Sequence, residues 1–219
     1  MRSANLLSVL ALSAGLLSMT AIASHAATET FYLTSDHCTG GCLTGQTTGG
    51  TVTITDVSAG VVSVDVTLAN GNGFVSTGFG TDFGFNLTGT PTITFSNVTS
   101  GFTPNANPET AGSLHMDGTG FFQYGVLCPG CGNGGSSPLP GPLDFTITGA
   151  GLSVLSFIQN GTGQFFAVDL MSGTTGNTGA VDASVVSSVP LPPAALLFGT
   201  ALVGLGVQGR RRRQKAIAA

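Results

Sequence analysis

The chain has 219 residues, 42% of them hydrophobic and only 7% charged, with a formal net charge of −4. All six basic residues lie near the two ends, at Arg2, Arg210 to Arg213 and Lys215, and all ten acidic residues lie between them. A long segment without lysine or arginine excludes binding to nucleic acid, which needs cations against phosphate. Low charge at this hydrophobicity excludes the disordered class.

Arg2 followed by the apolar run Leu6 to Leu17 has the layout of an export signal. Ser24-His25-Ala26 fits a small-x-small site, so signal peptidase is expected to cut between Ala26 and Ala27 and to remove residues 1–26. Ala21-Ile22-Ala23 is a second candidate, and an uncleaved N-terminal anchor is the plainer alternative. Residues 27–188 then remain, enough for one domain with a real core.

Alternation with a period of two recurs through that segment. Val52 and Ile54 alternate with threonines, and Val62, Val64, Val66 and Leu68 alternate with Ser63, Asp65 and Thr67. Phe83-Phe85-Leu87, Ile93-Phe95, Phe121 to Val126, Phe145-Ile147, Val154 to Ile158, Phe166-Val168-Leu170 and Val181-Ala183-Val185 follow. These read as half-buried strands. Asn70-Gly71-Asn72-Gly73, Thr88-Gly89-Thr90-Pro91, Ser100-Gly101, Asp117-Gly118, Asn160-Gly161 and Gly176-Asn177 separate them as turns. The expected fold is all-β, an antiparallel β-sandwich of jelly-roll-like type. A parallel β-helix is the alternative, but no fixed repeat supports it. Segments 103–112 and 132–142 are rich in Gly, Pro, Asn or Ser and read as loops suited to carry binding.

Four cysteines come as two close pairs, Cys38 with Cys42 and Cys128 with Cys131. In an exported chain they read as two disulfides, with local and crossed pairings both open. A four-thiolate zinc site and a redox Cys-x-x-Cys are weaker alternatives. His37 beside Asp36, and His115 near Asp117, read as loop residues. Asp65, Asp169 and Asp182 each sit between core-facing neighbours and are expected on a solvated outer face. A hydrolase would need His37 or His115 to converge with a serine and a carboxylate. No Asp-x-Asp-x-Asp run marks a calcium loop, so a calcium site would have to be assembled from separate loops. Trp is absent, and the phenylalanines fall mostly at inward positions, which argues against an aromatic sugar platform. The sequons at Asn86, Asn97 and Asn160 read as turn and strand chemistry. No catalytic residue, cofactor or metal ligand is assigned.

The C-terminal end carries the most specific signal. From Leu191 to Val207 there is no charged residue, a stretch of about 25 Å as a helix, slightly short of a bilayer core. Arg210, Arg211, Arg212 and Arg213 follow as a stop that stays cytoplasmic. The expectation is one transmembrane helix over about 191–208, with residues 214–219 as a cytoplasmic tail. The order Val189-Pro190-Leu191-Pro192, apolar helix, arginine cluster resembles the PEP-CTERM sorting signal of bacterial exosortase substrates, in its Val-Pro-Leu-Pro form, over residues 189–213. The resemblance implies transient residence in the inner membrane, processing by an exosortase-type enzyme, delivery to the cell surface or matrix, and a link to exopolysaccharide and biofilm. An unprocessed C-terminal anchor is the simpler alternative.

Overall fold

A computed structural model describes residues 26–77, 81–105, 114–132, 134–184, 186 and 187. The expected signal peptide up to residue 25, the sorting segment 189–213 with its helix, and the tail 214–219 lie outside the described residues. Among the described residues no helix is long and apolar enough to cross a membrane.

The strands are β1 (Thr28–Tyr32), β2 (Ser35–Asp36), β3 (Gly50–Ser58), β4 (Val61–Leu68), β5 (Gly73–Phe74), β6 (Phe83–Leu87), β7 (Thr94–Ser96) and β8 (Thr103–Asn105). They continue with β9 (Leu114–Met116), β10 (Gly120–Phe122), β11 (Tyr124–Leu127), β12 (Leu143–Thr148), β13 (Phe157–Ile158), β14 (Phe166–Met171), β15 (Thr178–Ala183) and β16 (Val186–Ser187). One sheet runs β16-β1-β3-β4-β12-β7, and a second runs β2-β15-β14-β6-β11-β8, with β5 added on β14 and β13 on β6. β9 and β10 form a separate hairpin. The fold is all-β with antiparallel sheets, an arrangement consistent with a β-sandwich.

Alternation decides which side chains meet between the sheets. Val52, Ile54, Val62, Val64, Val66, Phe145 and Ile147 come from the first sheet, and Phe83, Phe85, Phe166, Val168 and Leu170 from the second; all are buried. Aromatic rings make the junction. Phe31 on β1 meets Phe166 on β14 edge to face at 4.8 Å, and Phe83 on β6 meets Phe145 on β12 at 5.8 Å. Such pairs add to area burial because the positive edge of one ring faces the negative face of the other. Tyr124 is also buried, and its hydroxyl donates to the Pro91 carbonyl. The turn expected at Asn70-Gly71 puts both residues at positive φ, 56° and 72°, conformations that Asn and Gly tolerate.

Several expectations need correction. Val154 to Ile158 is not one strand: Val154–Ser156 form a 3-10 turn and only Phe157–Ile158 pair, with β6. Ser153 and Ser156 cap that turn reciprocally, so local side-chain bonding wins over the ladder. Thr103–Asn105, the start of the expected loop 103–112, instead pairs with β11 as an edge strand. The rest of that segment, 106–112, lies outside the described residues. In segment 132–142, Leu139 exchanges backbone hydrogen bonds with Phe74, so this stretch is partly tied to the sheet.

The largest difference concerns the outer face of the second sheet. The β9–β10 hairpin lies on it, and Leu114, Met116 and Phe122 pack with Ala167 and Ala180 into a second, smaller core. Space for the hairpin comes from a row of small residues in register across β11, β6 and β14: Gly125, Gly84 and Ala167. A Cβ on Gly84 would lie 2.7 Å from the Phe122 ring.

Phe166→Ala should cost about 3–5 kcal/mol, because it empties the ring cluster shared by both sheets. Leu155→Ala, at a side chain 77% exposed, should stay within about 0.5 kcal/mol. Urea unfolding of the two variants checks the contrast.

Candidate functional site

Because the hairpin covers one sheet face, carboxylates expected in solvent are buried. Asp169 on β14 is 3% exposed and Asp182 on β15 is fully buried, which corrects the solvated-face reading for both. Asp65 stays half-buried on the outer face of the first sheet, directly opposite Asp144 on β12. Asp82, just before β6, carried no sequence signal of its own and is also buried.

Backbone N–H groups, a hydroxyl and one imidazole hold the three buried ones. Thr77 donates its backbone N–H and its hydroxyl to Asp169, the hydroxyl at 2.6 Å. The Cys128 N–H donates to Asp82. His37 Nε2 lies 2.7 Å from Asp182 Oδ2, while Asp182 Oδ1 has no hydrogen-bond partner among the described residues. Burial pushes the Asp169 carboxyl up to about 6, the Thr77 bonds opposing it in part. Burial also raises Asp82 and Asp182, and raises Glu29 with help from Asp56. Asp144 rises to about 6 chiefly because it shares a hydrogen bond with Asp65.

Asp169 forms part of a cleft of about 200 Å³ beside the hairpin turn, lined also by His37, Thr77, Thr81, Asp117 and Thr178. The turn leans on the histidine: a Cβ on Gly118 would lie 2.7 Å from His37 Cβ. His115 is not a loop residue but the middle of β9, with Nδ1 3.6 Å from Asp117 and its ring 4.9 Å from Phe121.

Serine, histidine and aspartate do converge, at Ser35, His37 and Asp182. Yet Ser35 Oγ, at 3.0 Å, and Asp182 Oδ2, at 2.7 Å, both address the same ring nitrogen, Nε2. Proton relay from a serine through imidazole to a carboxylate uses the two different nitrogens. This trio therefore ties β2 to β15 but is not built as a nucleophile–base–orienter chain.

The cysteines pair locally, Cys38 with Cys42 and Cys128 with Cys131, at Cα separations of 5.5 and 5.3 Å. Bonded this way, none offers the thiolate a structural zinc needs, and Cys128 leads into a three-residue 3-10 turn rather than the helix N-terminus that activates a redox Cys-x-x-Cys. A carboxylate anchors each loop: Asp36 accepts from the N–H groups of Cys38 and Leu43, and Asp82 from that of Cys128. Asp36, Cys38 and Cys42 are the one set of three potential ligands gathered within 4.8 Å among the described residues, and two of the three are spent in a disulfide. The expected cleavage residues Ala26 and Ala27 are exposed just before β1. The sorting residues Val189 to Pro192 and Arg210 to Arg213 lie outside the described residues.

A carboxyl with a raised folded pKa binds its proton more tightly in the native state. Stability is then fully present below the unfolded pKa, about 4, and is lost as pH rises through the folded value, about 6 for Asp169. The protein should therefore be more resistant to urea at pH 4.5 than at pH 7.5. Asp169→Asn should flatten that dependence, by up to about 3 kcal/mol, as read from unfolding midpoints at both pH values.

Comparison with protein-family models, with curated proteins and with solved structures finds no match, so the functional reading rests on the chain's own residues and geometry.

Proposed function

We propose that the chain is an exported, non-catalytic protein of the cell surface or extracellular matrix. Signal peptidase removes residues 1–26. A helix over about 191–208 then holds the jelly-roll-like domain at the inner membrane. An exosortase-type enzyme cuts near Val189-Pro190-Leu191-Pro192, and the arginine cluster stays behind. Association with exopolysaccharide is what the resemblance to PEP-CTERM proteins adds.

The observation that carries this reading is the pairing of β1 with β16, Thr30 opposite Ser187 and Phe31 opposite Val186. Because the pair is antiparallel, the chain enters β1 and leaves β16 at the same corner of the first sheet. Until signal peptidase cuts, such a domain is tethered to one membrane at both ends, and a shared corner accommodates both tethers. Further support comes from the two disulfides, which suit an oxidising compartment. The non-catalytic part is supported by the Ser35–His37–Asp182 geometry, which gives no relay.

A second reading, a surface module that binds glycan, is favoured by an uncharged groove beside β10 that carries an exposed phenylalanine.

Intact-mass measurement on protein recovered from cell fractions tests the main reading. The expected species starts at Ala27, ends near Pro190, lacks four thiol hydrogens and leaves with the surface or medium fraction. A chain kept in the inner membrane with Arg210 to Arg213 attached would defeat the sorting step. A reduced full-length chain in the cytosol would defeat export altogether.

A further inference from the structure

A groove of about 550 Å³ runs between β10, β13 and the turn after β13, and it is lined by Asn86, Phe121, Gln123, Ile158, Gln159 and Asn160. Thr162 and two glycines complete it, and no titratable side chain takes part. This is unusual in a domain with ten carboxylates, and it lies apart from the acidic cleft, which shares none of its residues.

Two features give the groove a definite chemistry. The first is Phe121, 55% exposed among phenylalanines that are otherwise mostly buried, and backed by the His115 ring at 4.9 Å. The second is a pair of amides of fixed orientation. Asn86 Oδ1 accepts the Gln123 N–H at 2.7 Å, and Gln123 Oε1 accepts the Leu87 N–H at 3.1 Å. A backbone N–H can only donate, so each side-chain oxygen is identified and each NH₂ is the remaining end. Neither NH₂ group bonds another described residue, although Asn86 is only 5% exposed. An amide serving only to staple β6 to β11 needs its oxygen alone; the donors are left over.

A ligand for these groups has hydroxyls to accept from the NH₂ donors and an apolar face of C–H groups to lie on the negative face of the Phe121 ring. An anionic ligand would find no lysine or arginine, and a cationic one no carboxylate. An extended peptide would be expected to add as a strand; β6 is closed to one, paired here by β11 on one side and β13 on the other, and the two side-chain NH₂ donors suit hydroxyls rather than a ladder. We propose that the groove binds a neutral saccharide, one ring stacked on Phe121 and its hydroxyls held by Asn86 and Gln123. The proposal deepens the glycan-binding reading and rests on it for the natural ligand.

Gly161 supplies a clean blocking position. Its φ is not positive, and nothing lies within 4 Å of the Cβ it would carry, so a side chain is accepted without strain at a position that lines the groove. The test is affinity electrophoresis of the full chain in detergent, through gels containing dextran, mannan, galactan or a neutral β-glucan, with alginate as an anionic comparison. Retardation is expected in at least one neutral gel. Phe121→Ala and Gly161→Gln should each weaken it about tenfold while leaving the melting temperature unchanged. Retardation that persists in Gly161→Gln overturns the proposal, as does retardation by alginate alone or in no gel. Retardation that survives Gly161→Gln leaves glycan binding standing elsewhere on the domain, whereas retardation in no gel defeats the glycan-binding reading itself, so the two failures give different results.

Discussion

Carboxylates buried without any lysine or arginine to meet them are the constraint around which this domain is built. A buried carboxylate costs several kcal/mol unless it is well bonded. Here the bonds come from backbone N–H groups and hydroxyls. Of the buried acids, Asp82 takes an N–H group of the second disulfide loop and Asp169 that of Thr77. The exposed Asp36 and the half-buried Asp56 act in the same way, Asp36 on two N–H groups of the first disulfide loop and Asp56 on Val154 at the start of the 3-10 turn. Each acid thus ties down a stretch of chain whose N–H groups have no ladder to join. An ion pair fixes one side chain to another, whereas these acids fix loops to sheets. Burial raises the carboxyl pKa values of Asp82, Asp169 and Asp182, and among these three the one histidine contact is the His37 ring on Asp182.

The β9–β10 hairpin creates that constraint. Without it, Asp169, Asn86 and Gly84 would stand on an open sheet face, as the period-two pattern implies. With it, the face needs small residues directly beneath the hairpin and polar residues that bond inward at its margins. Gly84 and Gly125 meet the first need, since a Cβ at either would collide with Phe122 or Thr81. Asn86 and Asp169 meet the second. The same hairpin also lifts Phe121 into solvent on its far side, because Phe121 and Phe122 point oppositely along β10. One element therefore accounts for both the acidic cleft and the uncharged groove.

This explains what was legible in the sequence. The strands with aliphatic or aromatic alternation, such as β3, β4, β6 and β14, were readable because their inward residues differ in chemistry from their outward ones. The burial of the outward residues was not readable, since alternation reports which residues share a face but not whether something covers it. Leu114-His115-Met116 and Gly120-Phe121-Phe122 are three-residue strands, too short for periodicity to declare where they dock. The nearest sequence sign was Gly84, a glycine in the middle of an otherwise aromatic strand, where close approach of another element is the usual cause. Local disulfide pairing was one of three open pairings, and the choice follows from the loops that Asp36 and Asp82 hold in place.

Those disulfides close loops of only four and three residues' separation. By the loop-length relation each restricts the unfolded chain by about 2 kcal/mol, near the low end for such links. Neither joins distant strands, so the long-range order of the domain does not come from covalent links. It comes from the aromatic junction, where Phe31, Phe83, Phe85, Phe145 and Phe166 bring four strands of two sheets into contact. Cys42, Cys128 and Cys131 belong to the same buried cluster as those rings. The disulfides thus act as apolar plugs whose loops are aimed by acids. In a domain without lysine or arginine, aromatic packing sets the sheets against each other, and carboxylates, used as backbone acceptors, set the loops.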